Sequence, residues 1–284
     1  MIALSPLETL FDAAPGAEIA LPPELARLYG TLALPIGSAD PHIIGNFVST
    51  LDGVVSLNIP GQSGGREISG FNQHDRLVMG ILRAVADAVV VGAGTLRAVP
   101  HHLWTAEHVY PALADAFAHV RATIGKPGPP LNVVVTARGE IDLELPVFAS
   151  GQVPALIVTT EQGSRRLGDR PLPRSVAVTA VGSRERITAQ QVVHAIAAAR
   201  PSSLILVEGG PTLFGDFLDE RCLDELFLTL APQVAGRNDA SVRPGLVAGR
   251  NFAPDDPRWG TLVAVKRAHE HLFLRYAFPK VTPG

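Results

Sequence analysis

A chain of 284 residues, 46% hydrophobic and 18% charged, has the composition of a globular protein and the length for a large core. Its net charge of −3 gives no electrostatic reason to expect nucleic acid or an anionic membrane as a partner. The single cysteine, Cys222, excludes an internal disulfide framework and a cysteine-rich zinc site, and no apolar stretch approaches the ~20 residues that span a bilayer. The N-terminus lacks a basic region followed by a long apolar run and does not read as a secretory signal. Together these features point to a cytoplasmic protein acting on a small molecule.

In chain order, residues 1–40 are punctuated by proline, with a short helix expected at 23–29. They read as an N-terminal extension packed on a domain of residues 41–284. From Pro41 onward, runs of Val, Ile and Leu alternate with helical patterns. Strands are expected at 43–48, 88–91, 132–136, 155–159, 175–179, 204–208, 223–230, 262–265 and 272–277. The helix at 73–86 places Leu77, Val78, Ile81, Leu82 and Val85 on one face. Residues 106–130 read as a helix followed by a Pro/Gly linker. A helix at 188–199 opens on a capping box, Thr188 with Gln191, and buries Val192, Val193 and Ile196. A last helix at 211–220 turns Leu213, Phe214, Phe217 and Leu218 inward. Strand–helix–strand alternation predicts right-handed crossovers and an α/β fold: a three-layer αβα sandwich on a mixed, mostly parallel central sheet. The final two strands, with no helical pattern between them, read as an antiparallel edge hairpin.

Two strands run into glycine: AVVVGAGT at 88–95 and LILVEGGPT at 204–212. In parallel sheets ligands bind beyond the carboxyl ends of strands, where glycine lets backbone N–H groups approach and the next helix offers unsatisfied donors. Tight strand-to-helix turns need the same glycines. Neither stretch is a G-x-G-x-x-G or a G-x-x-x-x-G-K-[ST] motif, so neither a Rossmann domain nor an NTPase is supported. Glu208 is the sharper signal, because an acid at the end of an apolar strand must find a partner. It either caps the following turn through backbone N–H groups or accepts hydrogen bonds from a ligand. Asp52-Gly53 suits a hairpin turn, and the loop 61–65, GQSGG, suits a lid, a phosphate cradle or a plain surface loop.

His269-Glu270-His271 alternates as on a strand but has no third ligand nearby, so a metal site is not expected. His101-His102 follows the first glycine turn and could line a pocket. No Gly-x-Ser-x-Gly elbow appears, and Cys222 has no base near it in sequence, which leaves nucleophilic hydrolysis unsupported. Arg165-Arg166 reads as an exposed charge pair that could meet a phosphate.

NFVSTLDGVV (46–55), ISG (68–70), ILRAVADAVVVGAGTLRA (81–98) and LILVEGGPTLFGDFLDERCLDELFLTLAPQVAGR (204–237) occur in an order and spacing that resemble one family over residues 41–278. It is the RibD C-terminal domain family of riboflavin-pathway pyrimidine reductases, whose fold is dihydrofolate reductase-like. The resemblance implies reduction of a 5-amino-6-(5-phosphoribosylamino)uracil type of substrate, with hydride from NADPH reaching the first carbon of the ring-opened ribose. It implies cofactor contacts from Thr95 and from Gly209, Gly210, Pro211, Thr212, Leu213, Phe214, Gly215 and Asp216, with Val48, Ser49 and Thr136 as further candidates. Glu208 should hold the pyrimidine and Arg83 the ribose-phosphate end, with Gly65 on the same side. Asp52, in the family's Ser/Thr-Leu-Asp-Gly signature, stands beside Glu208 as a catalytic candidate or serves the edge of the site structurally. The proton donor is open between ordered water and Glu208. A homodimer is also implied, and the chain lacks a zinc-type deaminase signature, so it should be a reductase alone.

The chain departs from the family at one place. After the Gly-x-Gly-Thr turn, pathway members carry an Asp-Asp-Pro or Asp-Asn-Pro segment and then a basic residue; here Val99, Pro100, His101 and His102 stand instead. That leaves room for a same-fold reductase of a pterin, a folate or another imine or carbonyl. A catalytically silent nucleotide-binding protein is the third alternative.

Overall fold

The computed structural model describes residues 4–35, 40–59, 64–168, 171–182, 186–238 and 242–279. In chain order the strands are β1 (Glu8–Asp12), β2 (Ala17–Glu18), β3 (Ala33–Leu34), β4 (His42–Ser49), β5 (Ala88–Gly92), β6 (Leu131–Thr136), β7 (Ala155–Thr159), β8 (Val176–Ala180), β9 (Leu204–Val207), β10 (Glu225–Leu230), β11 (Thr261–Ala268) and β12 (His271–Ala277). The helices are α1 (Pro23–Tyr29), α2 (Gly65–Ile68), α3 (Gln73–Val85), α4 (Ala93–Ala98), α5 (Ala106–Val109), α6 (Ala114–Thr123), α7 (Pro146–Ala149), α8 (Glu161–Leu167), α9 (Ala189–Ala199) and α10 (Pro211–Asp219).

Ten strands form one sheet in the order β1-β11-β12-β10-β4-β9-β5-β6-β7-β8, and β2 pairs separately with β3. From β10 to β8 every neighbouring pair is parallel, whereas β12, β11 and β1 join antiparallel. The central strands are apolar on both faces, as strands covered by helices on each side must be. Alternate residues divide between the two layers. Val89 and Val91 of β5 join a core with α1, α3 and α6, while Ala88 and Val90 join the core under α9 and α10. This is the expected αβα sandwich with a mixed, mostly parallel sheet.

The expected capping box is present: the Thr188 side chain accepts from Gln191 N–H, and the Gln191 side chain accepts from Thr188 N–H. All four inward residues expected of α10 are buried. Residues 106–123 form two short helices around a single 3-10 turn, not one helix, because Pro111 has no N–H to continue α5. The hairpin β11–β12 does not form the sheet edge. β1 pairs antiparallel with β11 and lies outside it, and its five residues are all exposed, which is why no alternation announced it. Leu7, Leu25, Leu28, Tyr29 and Leu34 of the N-terminal segment are buried in the first core.

The strand order reverses direction in the middle. From β4 the chain steps to β5, β6, β7 and β8, then returns to insert β9 between β4 and β5. The two glycine bends, one after β5 and one after β9, are therefore side by side, with Val90 paired to Val207.

Candidate active site

A cleft of about 1300 Å³ opens at this reversal, over the carboxyl ends of β4, β5, β6 and β9, where open α/β sheets bind ligands. Its floor is the pair of bends. Gly92 is the N-cap of α4 and Gly210 the N-cap of α10, and neither helix has a side-chain cap. Pro211 at the first position of α10 has no N–H to satisfy, whereas the N–H groups of Thr212 and Leu213 have no partner within the helix. A Cβ at Gly92 or Gly94 would meet nothing within 4 Å, and one at Gly210 would meet only Thr95 Oγ1 at 3.6 Å. Gly209 differs: a Cβ there would lie 2.5 Å from Leu213 Cδ2, so any larger residue would have to displace the Leu213 side chain. The result is a backbone cradle, electropositive at the α10 end and open to the cleft.

Beside the cradle stands Glu208, one residue past β9, its N–H donating to the Val90 carbonyl at 2.9 Å. Its carboxylate neither caps the turn nor faces the cleft unpartnered. Oε2 accepts from Arg83 Nε at 2.9 Å and Nη2 at 2.7 Å, and Oε1 accepts from Asn46 Nδ2 at 3.2 Å. Both side chains are buried, 3% exposed for Arg83 and 7% for Glu208. The third guanidinium nitrogen, Nη1, lies 2.8 Å from His102 Nε2 and 3.3 Å from the Thr105 carbonyl. Burial and the Arg83 charge push the His102 pKa down to about 2, so its neutral ring accepts from the guanidinium. Arg83 was expected to meet a ribose phosphate. Its donors are instead occupied by protein, and it orients Glu208.

The other expected residues divide in two. Val48, Gly65, Thr95, Glu208, Gly209, Gly210, Pro211, Thr212, Leu213 and Asp216 line the cleft with Arg83. Ser49, Asp52, Thr136, Phe214 and Gly215 do not. Ser49 Oγ donates to the Thr50 carbonyl, and Thr136 Oγ1 accepts from Gly139 N–H. Phe214 is fully buried against Phe47, with ring centroids 4.6 Å apart, and Gly215 faces Val247 and Ala248. Asp52 sits in a turn, and its carboxylate accepts from the Thr50 hydroxyl and the N–H groups of Ala235 and Gly236 at 2.6–3.0 Å. The Thr50 hydroxyl and those amides hold its pKa down to about 2. Its place is therefore that of a clasp between two loops at the edge of the site. Asp216 faces Arg186 and Arg250.

Of the loop 61–65, residues 61–63 lie outside the described residues. His269 and Glu270 form the turn between β11 and β12, so the two histidines do not share a strand face; His271 Nε2 lies 3.0 Å from the Ser69 carbonyl. Arg166 pairs with Glu140 away from the cleft.

Sequence reasoning missed several lining residues. Arg66, Arg76, Arg97, Arg138 and Arg186 join Arg83 to set six guanidinium groups against three carboxylates, those of Asp75, Glu208 and Asp216, among the described lining residues. A chain of net negative charge thus concentrates positive charge in its cleft, which selects for anionic ligands. His108 packs edge-on to His102 with ring centroids 4.5 Å apart, and the buried Trp104 also meets His102 edge-on at 5.3 Å.

The fold of this chain is shared with solved pyrimidine reductases and reductase-like proteins. A pyrimidine reductase-like protein from Corynebacterium diphtheriae superposes with a TM-score of 0.64 at 21% identity, covering 90% of this chain and 98% of that one. The diaminohydroxyphosphoribosylaminopyrimidine deaminase/5-amino-6-(5-phosphoribosylamino)uracil reductase of Thermotoga maritima superposes at 0.61 with 16% identity, over 84% of this chain and 57% of that larger one. Residues 41–257 match the RibD C-terminal domain model, and the chain belongs to that family. A curated relative, the 2,5-diamino-6-ribosylamino-4(3H)-pyrimidinone 5′-phosphate reductase of Archaeoglobus fulgidus, is 25% identical over 215 residues, 75% of this chain and 88% of that protein. The expectation of a reductase is borne out at the level of class. No helix among the described residues is long and apolar enough to cross a membrane.

Proposed function

We propose that the chain is an NADPH-dependent reductase of riboflavin biosynthesis, of the 5-amino-6-(5-phosphoribosylamino)uracil reductase type, working in the cytoplasm as a homodimer. One observation carries this reading: a glycine bend with an uncapped helix N-terminus shares a cleft with a buried acid–arginine pair on the same strand end. The residues present fit a dinucleotide, because the backbone at Gly92, Gly94 and Gly210 leaves open space where side chains would stand. NADPH bound there supplies a hydride.

The chain's own residues do the rest. Thr212 and Leu213 N–H groups and the Thr95 hydroxyl hold phosphate oxygens. Arg138, 79% exposed beyond β6, is available to the 2′-phosphate that separates NADPH from NADH. Glu208, oriented by Arg83 and Asn46, offers its remaining lone pairs to pyrimidine N–H groups. Arg66 and Arg97 favour a phosphorylated substrate at the same opening. Val48, Val55 and Val135 supply apolar wall that keeps water from the reacting atoms.

A second reading, reduction of another heterocycle, draws on Val99 and His102. Both line the cleft from the segment where the chain departs from its family. Incubation with NADPH and the pathway pyrimidine, followed by the loss of reduced-cofactor absorbance, separates the two. Turnover with the ribosylaminopyrimidine phosphate and none with dihydrofolate is expected; the reverse pattern would establish the second reading.

A further inference from the structure

Asp75 has no place in the chemistry so far. It lies in the first turn of α3, where the Asn72 side chain caps the helix by accepting from the N–H groups of His74 at 2.8 Å and Asp75 at 3.1 Å. Asp75, Met79 and Arg83 are spaced four apart, so they form one stripe of α3, and all three line the cleft. The acid is 7% exposed. Among the described residues it has no basic partner, unlike Glu208, Asp87, Asp216 and Glu225, which all pair with one. A carboxyl buried without a counter-charge favours its protonated form.

The groups that face it act consistently. The Thr229 hydroxyl on β10 and the Ser69 hydroxyl after α2 lie within hydrogen-bond reach, and the Glu208 charge opposes its ionisation. Its neighbours on α3 turn elsewhere, His74 to the Ser5 carbonyl and Arg76 to the Val109 carbonyl. His271, on β12, is held by the Ser69 carbonyl. Burial first, then Glu208, pushes the Asp75 pKa up to about 6 against the pull of the two hydroxyls.

We infer that Asp75 is the proton donor of the reduction, an inference that rests on the reductase reading above. A bound reduced nicotinamide would supply the hydride that forms the new C–H bond at the carbon of a C=N bond, and the π electron pair would pass to nitrogen. The O–H bond of Asp75 breaks and its proton forms the N–H bond. The imine is reduced to an amine and the nicotinamide oxidised, and the Asp75 carboxylate then recovers a proton from solvent through the open cleft. The sum is imine, NADPH and one proton to amine and NADP⁺. Glu208, held by Arg83, serves as acceptor; Asp75 serves as acid. Below about pH 6 Asp75 carries the proton that it donates, beside a Glu208 whose carboxylate oxygens are engaged by Arg83 and Asn46.

The test is a pH profile joined to a titration that needs no turnover. Wild-type kcat/KM should fall as pH rises through about 6, with the loss of one proton. Asp75→Asn should lose roughly a hundredfold or more in kcat, and lose that limb of the profile, while NADPH affinity holds. Asp75→Glu should keep the limb at reduced rate. In protein with ¹³C-labelled aspartate, without substrate, one carboxyl resonance should titrate near pH 6 and vanish in Asp75→Asn. Absence of such a resonance in the wild type overturns the inference even if the variants fail to fold. Equal kcat and an unchanged profile in Asp75→Asn sink the donor and leave the reductase reading standing. A wild type that binds NADPH yet reduces no substrate sinks the reductase reading itself.

Discussion

Glu208→Ala is expected to destabilise the protein by about 3–5 kcal/mol, measured by denaturant unfolding, because it strands a buried guanidinium. Arg83 is 3% exposed, and two of its three nitrogens bond one oxygen of Glu208. With the carboxylate gone, His102 and the Thr105 carbonyl are left as its partners, and neither carries a negative charge. Glu208→Gln should cost less, since the amide oxygen can still accept from Arg83 or Asn46, yet it should abolish turnover with little change in NADPH affinity. Arg83→Met combined with Glu208→Leu should be more stable than either single variant, because an apolar pair replaces a lone buried charge. It should nonetheless be inactive. A double variant as unstable as the sum of the singles would show that the two side chains do not act as a pair.

Gly94→Asp is expected to raise the NADPH dissociation constant roughly tenfold or more while leaving unfolding stability unchanged or slightly improved. The new Cβ meets nothing within 4 Å, so the substitution introduces no clash. An acid in the first turn of α4 suits the helix dipole and adds a few tenths of a kcal/mol or more. Toward a bound phosphate the same carboxylate is repulsive by about 3 kcal/mol at ~5 Å and an effective dielectric of about 20. Gly94→Ala, which fills the same space without charge, is the control and should bind nearly as the parent does. Calorimetric titration of the three proteins decides the matter. Undiminished affinity in Gly94→Asp would remove the dinucleotide from this end of the cleft.

The fold was legible where a local pattern set the structure. The valines of β5 and the leucines, isoleucine and valine of β9 are buried on both faces, and an apolar run states that directly. Thr188 and Gln191 announce α9 because both halves of a capping box lie within one turn. β1 gave no signal, since an exposed strand at a sheet edge needs no alternation. In the site, the glycine bends were legible for the same local reason, whereas the identity of Glu208's partner was not. Arg83 and Glu208 are 125 residues apart, and only the insertion of β9 beside β5 brings α3's last turns to that strand end. Asp75 was invisible for a different reason. In Gln73-His74-Asp75-Arg76 it reads as part of the polar, solvated start of a helix, and only the packing of β10 and the Ser69 turn over α3 buries it. Asp52 carried a family signature, yet its carboxylate is occupied by backbone amides from a loop 183 and 184 residues away.

The central claim is that a nicotinamide dinucleotide lies in the cleft beside the Gly209–Gly210 bend, and the most direct test is its titration into protein carrying Trp259→Phe. The chain has two tryptophans; Trp259 is 79% exposed, and Trp104 is buried in the wall of the cleft against His102. With Trp104 as the sole indole, NADPH should quench emission saturably at one equivalent per chain. Emission that stays unchanged at saturating NADPH would contradict the account.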